Sequence, residues 1–273
     1  MSSYVSDLFS LRGKTALVAG GAGAIGAAIS EAFARAGANV IVHDLSQPRI
    51  DLLAGHFADR GLQMTALQAD LSTTDAAQDL VARARKITGR IDILVNLQGV
   101  NRRKPIADVT PEDFDLITSV NLRSVYFLSQ AVHKVMQAQG GGKIVHFSSL
   151  SANMSFDTIS VYAATKAAVT SLTRSQAHEW AVDNIQVNAI EPGFVQTEFT
   201  RPLWDDDYRA DWFANFIPQG RMAVPEDLVS ATLFLVAPAT QYMTGQTLVI
   251  DGGVMSGASW IQGQRRPALK RDK

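Results

Sequence analysis

The chain of 273 residues contains no cysteine. Disulfides, zinc ribbons and thiol nucleophiles are thereby excluded, and the composition fits a reducing compartment. An excess of either charge is missing too. Twenty-five Lys and Arg face 26 Asp and Glu, for a net charge of -1, which argues against a nucleic-acid or anionic-membrane surface as the main business of the chain. No uncharged apolar run is long enough to span a bilayer. The start, Met1 to Phe9, lacks both the basic region and the apolar region of a secretory signal. His43, His56, His133 and His178 show no metal-ligand spacing, so no zinc is implied. A soluble, cytoplasmic protein without a metal is expected.

What is present is the composition of a globular protein, 47% hydrophobic and 19% charged, with length enough for a sizeable core. Residues 14–19 read as a short buried strand. Gly20-Gly-Ala-Gly-Ala-Ile-Gly26 follows, then a helical run from Ala27 to Ala36 ended by Gly37, then a second strand closed by Asp44. A glycine turn between a strand and a helix is suited to a pyrophosphate. Glycine lets the backbone approach, and the amides at the helix start meet the charge. Gly20, Gly23, Ala24, Ile25 and Gly26 are the candidate contacts. Asp44, with Leu45 beside it, is placed to accept hydrogen bonds from the adenosine ribose and to repel a 2′-phosphate. No Lys or Arg occupies 45–48 or the glycine turn. NAD rather than NADP is expected.

The alternation continues, with strands near 63–69, 91–96, 143–148, 185–190 and 246–250 and helices near 48–60, 74–88, 111–138, 160–182 and 225–237. Such alternation implies a parallel sheet with helices on both faces and a ligand at the carboxyl ends of the strands. No linker or internal repeat divides the chain, so a single α/β domain over 1–273 is expected, with its core at about 10–253. The residues after the strands are then site candidates. They are Asp70 and Leu71, Asn96 and Gly99, Ser149, and Pro192, Gly193, Val195 and Thr197.

Tyr162 and Lys166 are four apart in an alanine-rich stretch. On a helix they share a face, and an ammonium beside a phenol lowers its pKa toward a working range. Ser149, after an apolar strand, reaches the same region.

In this order and spacing, these motifs resemble the short-chain dehydrogenase/reductase family over nearly the whole chain. The family's glycine pattern falls on Ala19 to Gly26. Its Asn-Asn-Ala-Gly falls on Asn96 to Gly99, its Asn on Asn121, its Ser on Ser149, its Tyr-x-x-x-Lys on Tyr162 and Lys166, and its Pro-Gly on Pro192-Gly193. The resemblance implies a doubly wound Rossmann-type domain with a seven-stranded sheet in the order 3-2-1-4-5-6-7. It implies catalysis by Asn121, Ser149, Tyr162 and Lys166, with the last two also meeting the cofactor. It further implies a substrate lid at about 198–220 and a homotetramer paired through helices 111–138 and 160–182. Residues 254–273 form a tail. Departures are Ala19, Ala24, Leu97 and Gln98. His146, where Asn is common, is expected to pack within its strand.

For the substrate, Gly99-Val-Asn-Arg-Arg-Lys-Pro105 leaves a strand end where the nicotinamide is expected. A guanidinium at Arg102 or Arg103 suits a carboxylate, and this stretch is similar to that of gluconate 5-dehydrogenases and related sugar-acid dehydrogenases. The expectation is oxidation of a secondary alcohol on a sugar acid, or reduction of its ketone, with Ser151 and Trp204 as further substrate candidates. A neutral polyol or ketose dehydrogenase, a 3-oxoacyl-type reductase and a non-catalytic NAD-binding sensor are the alternatives. No macromolecular partner other than further copies of the chain is expected.

Overall fold

A computed structural model describes residues 4–204 and 207–257 of the chain. Seven strands, β1 (Thr15–Ala19), β2 (Asn39–Asp44), β3 (Thr65–Gln68), β4 (Ile93–Asn96), β5 (Gly142–Phe147), β6 (Ile185–Pro192) and β7 (Thr247–Ile250), form one parallel sheet in the order β3-β2-β1-β4-β5-β6-β7. The order reverses between β1 and β4, and in sheets of this kind the ligand site lies at the carboxyl ends of the strands at that switch point. β1 is buried at all five positions, as expected for a strand covered on both faces. Its side chains alternate. Leu17 and Ala19 join one core with Leu80, Leu128, Val132 and Met136, whereas Ala16 and Val18 join the other with Phe33, Phe57 and Leu235.

The first core lies under α4 (Thr74–Thr88), α6 (Ser124–Ala138) and α7 (Ser160–Trp180), the second under α2 (Ala24–Arg35), α3 (Gln47–Asp59) and α9 (Val229–Val236). The short α1 (Tyr4–Phe9) precedes β1 and has no counterpart in the sequence reading. Local chemistry marks the ends. Thr73 caps α4 by accepting from the Ala76 amide, and Gly89 closes it at φ 77°. Thr110 and Asp113 form a capping box at the start of α5 (Pro111–Thr118).

The helix expected over 111–138 is divided. A π-helical turn, Ser119–Arg123, separates α5 from α6 and carries the fully buried Asn121. The wider turn aims Asn121 inward, which no hydrophobic period announces. On this helix, expected to pair between subunits, Val125, Leu128 and Val132 are buried within the protomer.

Residues 198–220 contain α8 (Asp207–Phe216). Here Phe213 and Ile217 are buried with Leu150, Met222 and Val254, and Trp212 stacks on Phe216 at 4.5 Å. The aromatic residues therefore form this segment's own small core. Asp205, Asp206 and the basic tail residues Arg265, Arg266, Lys270 and Arg271 lie outside the described residues. Among the described residues no helix is long and apolar enough to cross a membrane, and no group of His, Asp or Glu is arranged to hold a metal ion.

Candidate active site

At the carboxyl end of β1 the backbone is packed too tightly for side chains. Gly20 sits at φ 74°, and a Cβ there would stand 2.8 Å from the Gln98 nitrogen. One on Gly26 would stand 2.6 Å from the Cα of Gly21. These glycines bring turn, helix and the β4 loop into contact. Gly23, by contrast, would bring a Cβ no nearer than 3.6 Å to any neighbour, the Gly20 carbonyl oxygen. It is the N-cap of α2 and makes no side-chain cap, so the first amides of α2, which have no partner inside the helix, remain for an anion. Ala24 starts the helix and is not among the residues of positive φ, so this departure from glycine carries no strain. The cradle fits a dinucleotide pyrophosphate.

Asp44 ends β2 and is 8% exposed, and one of its oxygens accepts from the Ser46 amide at 3.0 Å. Leu45 beside it is exposed and Leu71 is buried. Asp70 is exposed and accepts from the Ser72 amide. Asn96, expected at the cofactor, turns its side chain into the core. Its Nδ2 donates to Ser129 Oγ at 3.1 Å and meets His146 Nδ1 at 3.0 Å. The His146 Nε2 in turn lies 2.8 Å from Gln176 Oε1. His146 is thus part of a buried polar network rather than strand packing, and burial lowers its pKa to about 4, which keeps it neutral. Gln98 joins the network by donating to Asn96 Oδ1 and to Ser124 Oγ, and so replaces a small side chain with a strut toward the π turn.

Asn121 holds the β4 loop from both sides. Its Oδ1 accepts from the Val100 amide at 2.8 Å, and its Nδ2 donates to the Val100 carbonyl at 3.0 Å. A Cβ on Gly99 would lie 3.6 Å from both Asn121 Oδ1 and Lys166 Nζ, so the loop, the π turn and α7 converge here. At the end of β6, Gly193 passes so close to Asp251 that a Cβ would stand 2.7 Å from its Cα. Beyond Pro192 and Gly193, Val195 bridges to Ala223, and the Thr197 and Thr200 hydroxyls lie 3.2 Å apart.

Tyr162 and Lys166 stand on α7, with the ammonium 5.6 Å from the ring centroid. Lys166 is buried and donates to the Phe147 carbonyl at 2.8 Å, and burial lowers its pKa to about 8. Contrary to the expected depression of the phenol by its ammonium, Lys166 is not among the groups that act on the phenol pKa here. Burial is the largest influence on Tyr162 and raises its pKa. The Ser149 hydroxyl and the Arg103 charge act against that rise.

Ser149 accepts from the Ser151 amide at 3.2 Å and from the Ser151 hydroxyl at 3.0 Å. Ser151 is buried and turns both of these donors to Ser149. The three cations after β4 separate in role. Lys104 is paired with Asp113 at 2.5 Å, Arg102 and Arg103 are both exposed, and of these two Arg103 is the one whose charge acts on Tyr162. Trp204 packs against the small aromatic core and donates to Thr200 Oγ1 at 3.2 Å. Phe199, which the sequence reading passed over, has its ring 6.2 Å from that of Tyr162 and is 47% exposed. Its place in an aromatic-rich segment was the only available signal.

A family model described as enoyl-(acyl carrier protein) reductase matches residues 20–255. A gluconate 5-dehydrogenase of Gluconobacter oxydans is 37% identical, over 91% of this chain and 97% of the relative. A tropinone reductase homolog of Arabidopsis thaliana is 38% identical, over 90% and 95%. A solved gluconate 5-dehydrogenase of Burkholderia cenocepacia, in complex with NADP and tartrate, superposes with a TM-score of 0.89 at 35% identity, over 93% of this chain and all of that one.

Proposed function

We propose a specific reaction for this chain, which belongs to the short-chain dehydrogenase/reductase family: the NAD(H)-linked interconversion of a secondary alcohol and a ketone on a sugar acid. The single observation that supports the substrate class is Arg103, an exposed guanidinium on the loop after β4 whose charge opposes the rise of the Tyr162 pKa. A planar guanidinium binds a carboxylate through two parallel hydrogen bonds. The Burkholderia relative holds tartrate, a hydroxy diacid, and the Gluconobacter relative is named for gluconate, which supports the reading.

When bound, the nicotinamide supplies the hydride acceptor or donor at the carbinol carbon. The chain's own groups handle the proton and the geometry. Ser149, with two hydrogen bonds already accepted from Ser151, turns its own hydrogen toward Tyr162 or the substrate oxygen. Tyr162 gives its phenolic proton to a ketone oxygen, or takes the proton of an alcohol once ionised. A phenol raised by burial favours the donating role, and Arg103 and Ser149 stabilise the phenolate needed for the reverse. Asn121 fixes the Val100 backbone that borders this space.

For the cofactor, Asp44 supports NAD. It is anchored at the end of β2, with no Lys or Arg at 45–48 to receive a 2′-phosphate. The Burkholderia relative holds NADP, so the ratio of the two cofactors in this chain is the quantity to measure. A soluble cytoplasmic homotetramer is the assembly proposed, paired in part through Ala164, Ala168 and Leu172 on α7, none of which is buried in the protomer; a monomeric mass in solution removes that part.

The test is turnover of gluconate and of a neutral polyol with NAD in wild-type protein and in Arg103→Ala. Loss of a charged hydrogen bond is expected to raise KM for the acid by about tenfold or more and to leave KM for the polyol unchanged, whereas any loss of kcat through Tyr162 is common to both. Equal effects on the two KM values, or none on either, remove the sugar-acid assignment. A neutral or cationic ketone, such as the name of the Arabidopsis relative suggests for that protein, would gain from Arg103→Ala instead.

A further inference from the structure

Glu191 is a carboxylate at 1% exposure in β6, next to Pro192. A charge buried so deeply is costly unless its oxygens are hydrogen-bonded. Both are: Oε1 accepts from Thr170 Oγ1 at 2.7 Å and Oε2 from Asn153 Nδ2 at 2.7 Å. Both partners are neutral. Thr170 lies one turn beyond Lys166 and its hydroxyl also approaches the Lys166 carbonyl, so the carboxylate is fixed to the helix that carries Tyr162 and Lys166.

The consequence falls on Asn153. Both Glu191 oxygens act as acceptors, so the carboxylate meets the NH2 end of the amide rather than the carbonyl end. Glu191 therefore dictates how Asn153 is turned, with Nδ2 inward and Oδ1 away. Asn153 itself is solvent-exposed. It stands four residues after Ser149, between Leu150 and Met154, which pack against the small core of the 198–220 segment. With Nδ2 held by Glu191, its Oδ1 is the opposite end of the amide, on an exposed residue of the strap between Ser149 and that segment.

The geometry points to Asn153 as a specificity-determining residue, whose Oδ1 accepts a hydrogen bond from a substrate hydroxyl other than the one that reacts, with Glu191 as its positioning residue. The site then selects polyhydroxylated chains over simple secondary alcohols. This rests on the proposed carbohydrate reaction only for the hydroxyls of the substrate and is independent of its carboxylate.

The experiment uses full-length protein with NAD and two substrate pairs. Gluconate is compared with 5-hydroxyhexanoate, which keeps the carboxylate and one hydroxyl, and sorbitol with hexan-2-ol. Asn153→Ala is expected to raise KM for gluconate and sorbitol by about tenfold, the worth of one hydrogen bond. It should leave kcat, the NAD dissociation constant and the KM of both deoxy compounds unchanged. Glu191→Leu should reproduce that pattern, the double variant should be no worse than either single one, and Glu191→Gln, which keeps an acceptor for Asn153, should restore most of the affinity. If Glu191→Leu does not fold, Asn153→Ala, at an exposed position, decides by itself. Equal losses on polyhydroxylated and deoxy substrates, a fall confined to kcat, or no change overturns the proposal. So does a wild-type protein that binds sorbitol no more tightly than hexan-2-ol. A wild-type protein that uses sorbitol as well as gluconate overturns only the carboxylate reading, and the sorbitol pair then carries this test.

Discussion

Ser151 directs two donors, its backbone amide and its hydroxyl, at the one hydroxyl oxygen of Ser149. Two accepted bonds occupy the lone pairs of that oxygen, so Ser149 is left as a donor toward Tyr162 and toward any substrate oxygen beside it. Ser151→Ala removes the hydroxyl donor and keeps the amide. The expected result is a fall in kcat of about fivefold, in line with one neutral hydrogen bond, with the cofactor dissociation constant unchanged. An unchanged kcat would show that Ser149 needs no such orientation.

Lys166 predicts an alkaline rise in stability of the cofactor-free protein. Its folded pKa is about 8 against an ordinary 10.5, because burial disfavours the ammonium. Between these values the unfolded chain holds more protons, so stability increases with pH across that window. Tyr162, raised by burial, acts in the opposite sense only above the ordinary phenol range. Lys143 is also lowered to about 8, so the quantity to measure is the difference between wild type and Lys166→Met in denaturant melts at several pH values. A difference that does not vary with pH removes the assignment.

His146 predicts the acid counterpart. Burial holds the folded imidazole near 4 against an ordinary 6.5, so protons bound by the unfolded state erode stability as pH falls through that interval. His146→Leu should flatten this slope. It should also cost about 1–3 kcal/mol at neutral pH, because the Gln176 acceptor and one Asn96 donor bond lose their partner. Thermal melts from neutral to acid pH give both quantities.

Asp44 predicts the cofactor ratio. Wild-type kcat/KM should favour NAD over NADP, and Asp44→Ala should narrow the gap by about tenfold, since it removes both a charged acceptor for the ribose hydroxyls and a repulsive charge. Equal efficiency with the two cofactors in the native protein would show that the carboxylate does not discriminate.

Much of this molecule was legible in its sequence because the signals are local. The parallel sheet, the glycine turn and Asp44 follow from strand–turn–helix alternation and from glycines that only a crowded backbone requires, and the strand order from the family resemblance. Tyr162 and Lys166 sit on one helix face because four residues make about one turn. The family motifs placed Ser149 and Asn121 without showing what they touch.

Tertiary contacts decided the rest. The π turn at Ser119–Arg123 exists so that Asn121 can hold Val100, a bond between segments 21 residues apart that no periodicity encodes. Lys104 and Arg103 are neighbours of the same charge in the sequence. Asp113 engages one, and the other is left beside Tyr162. Burial, a property of the assembled fold, reversed the direction expected for the Tyr162 phenol. Glu191 reads as one more residue of a strand, and only the arrival of Asn153 and Thr170 from β5–α7 and α7 turns its charge into a device that orients an amide. Local sequence sets which elements form and where backbone bends. The partner of each polar group depends on segments brought together from far along the chain, and that pairing exists only after the core has closed.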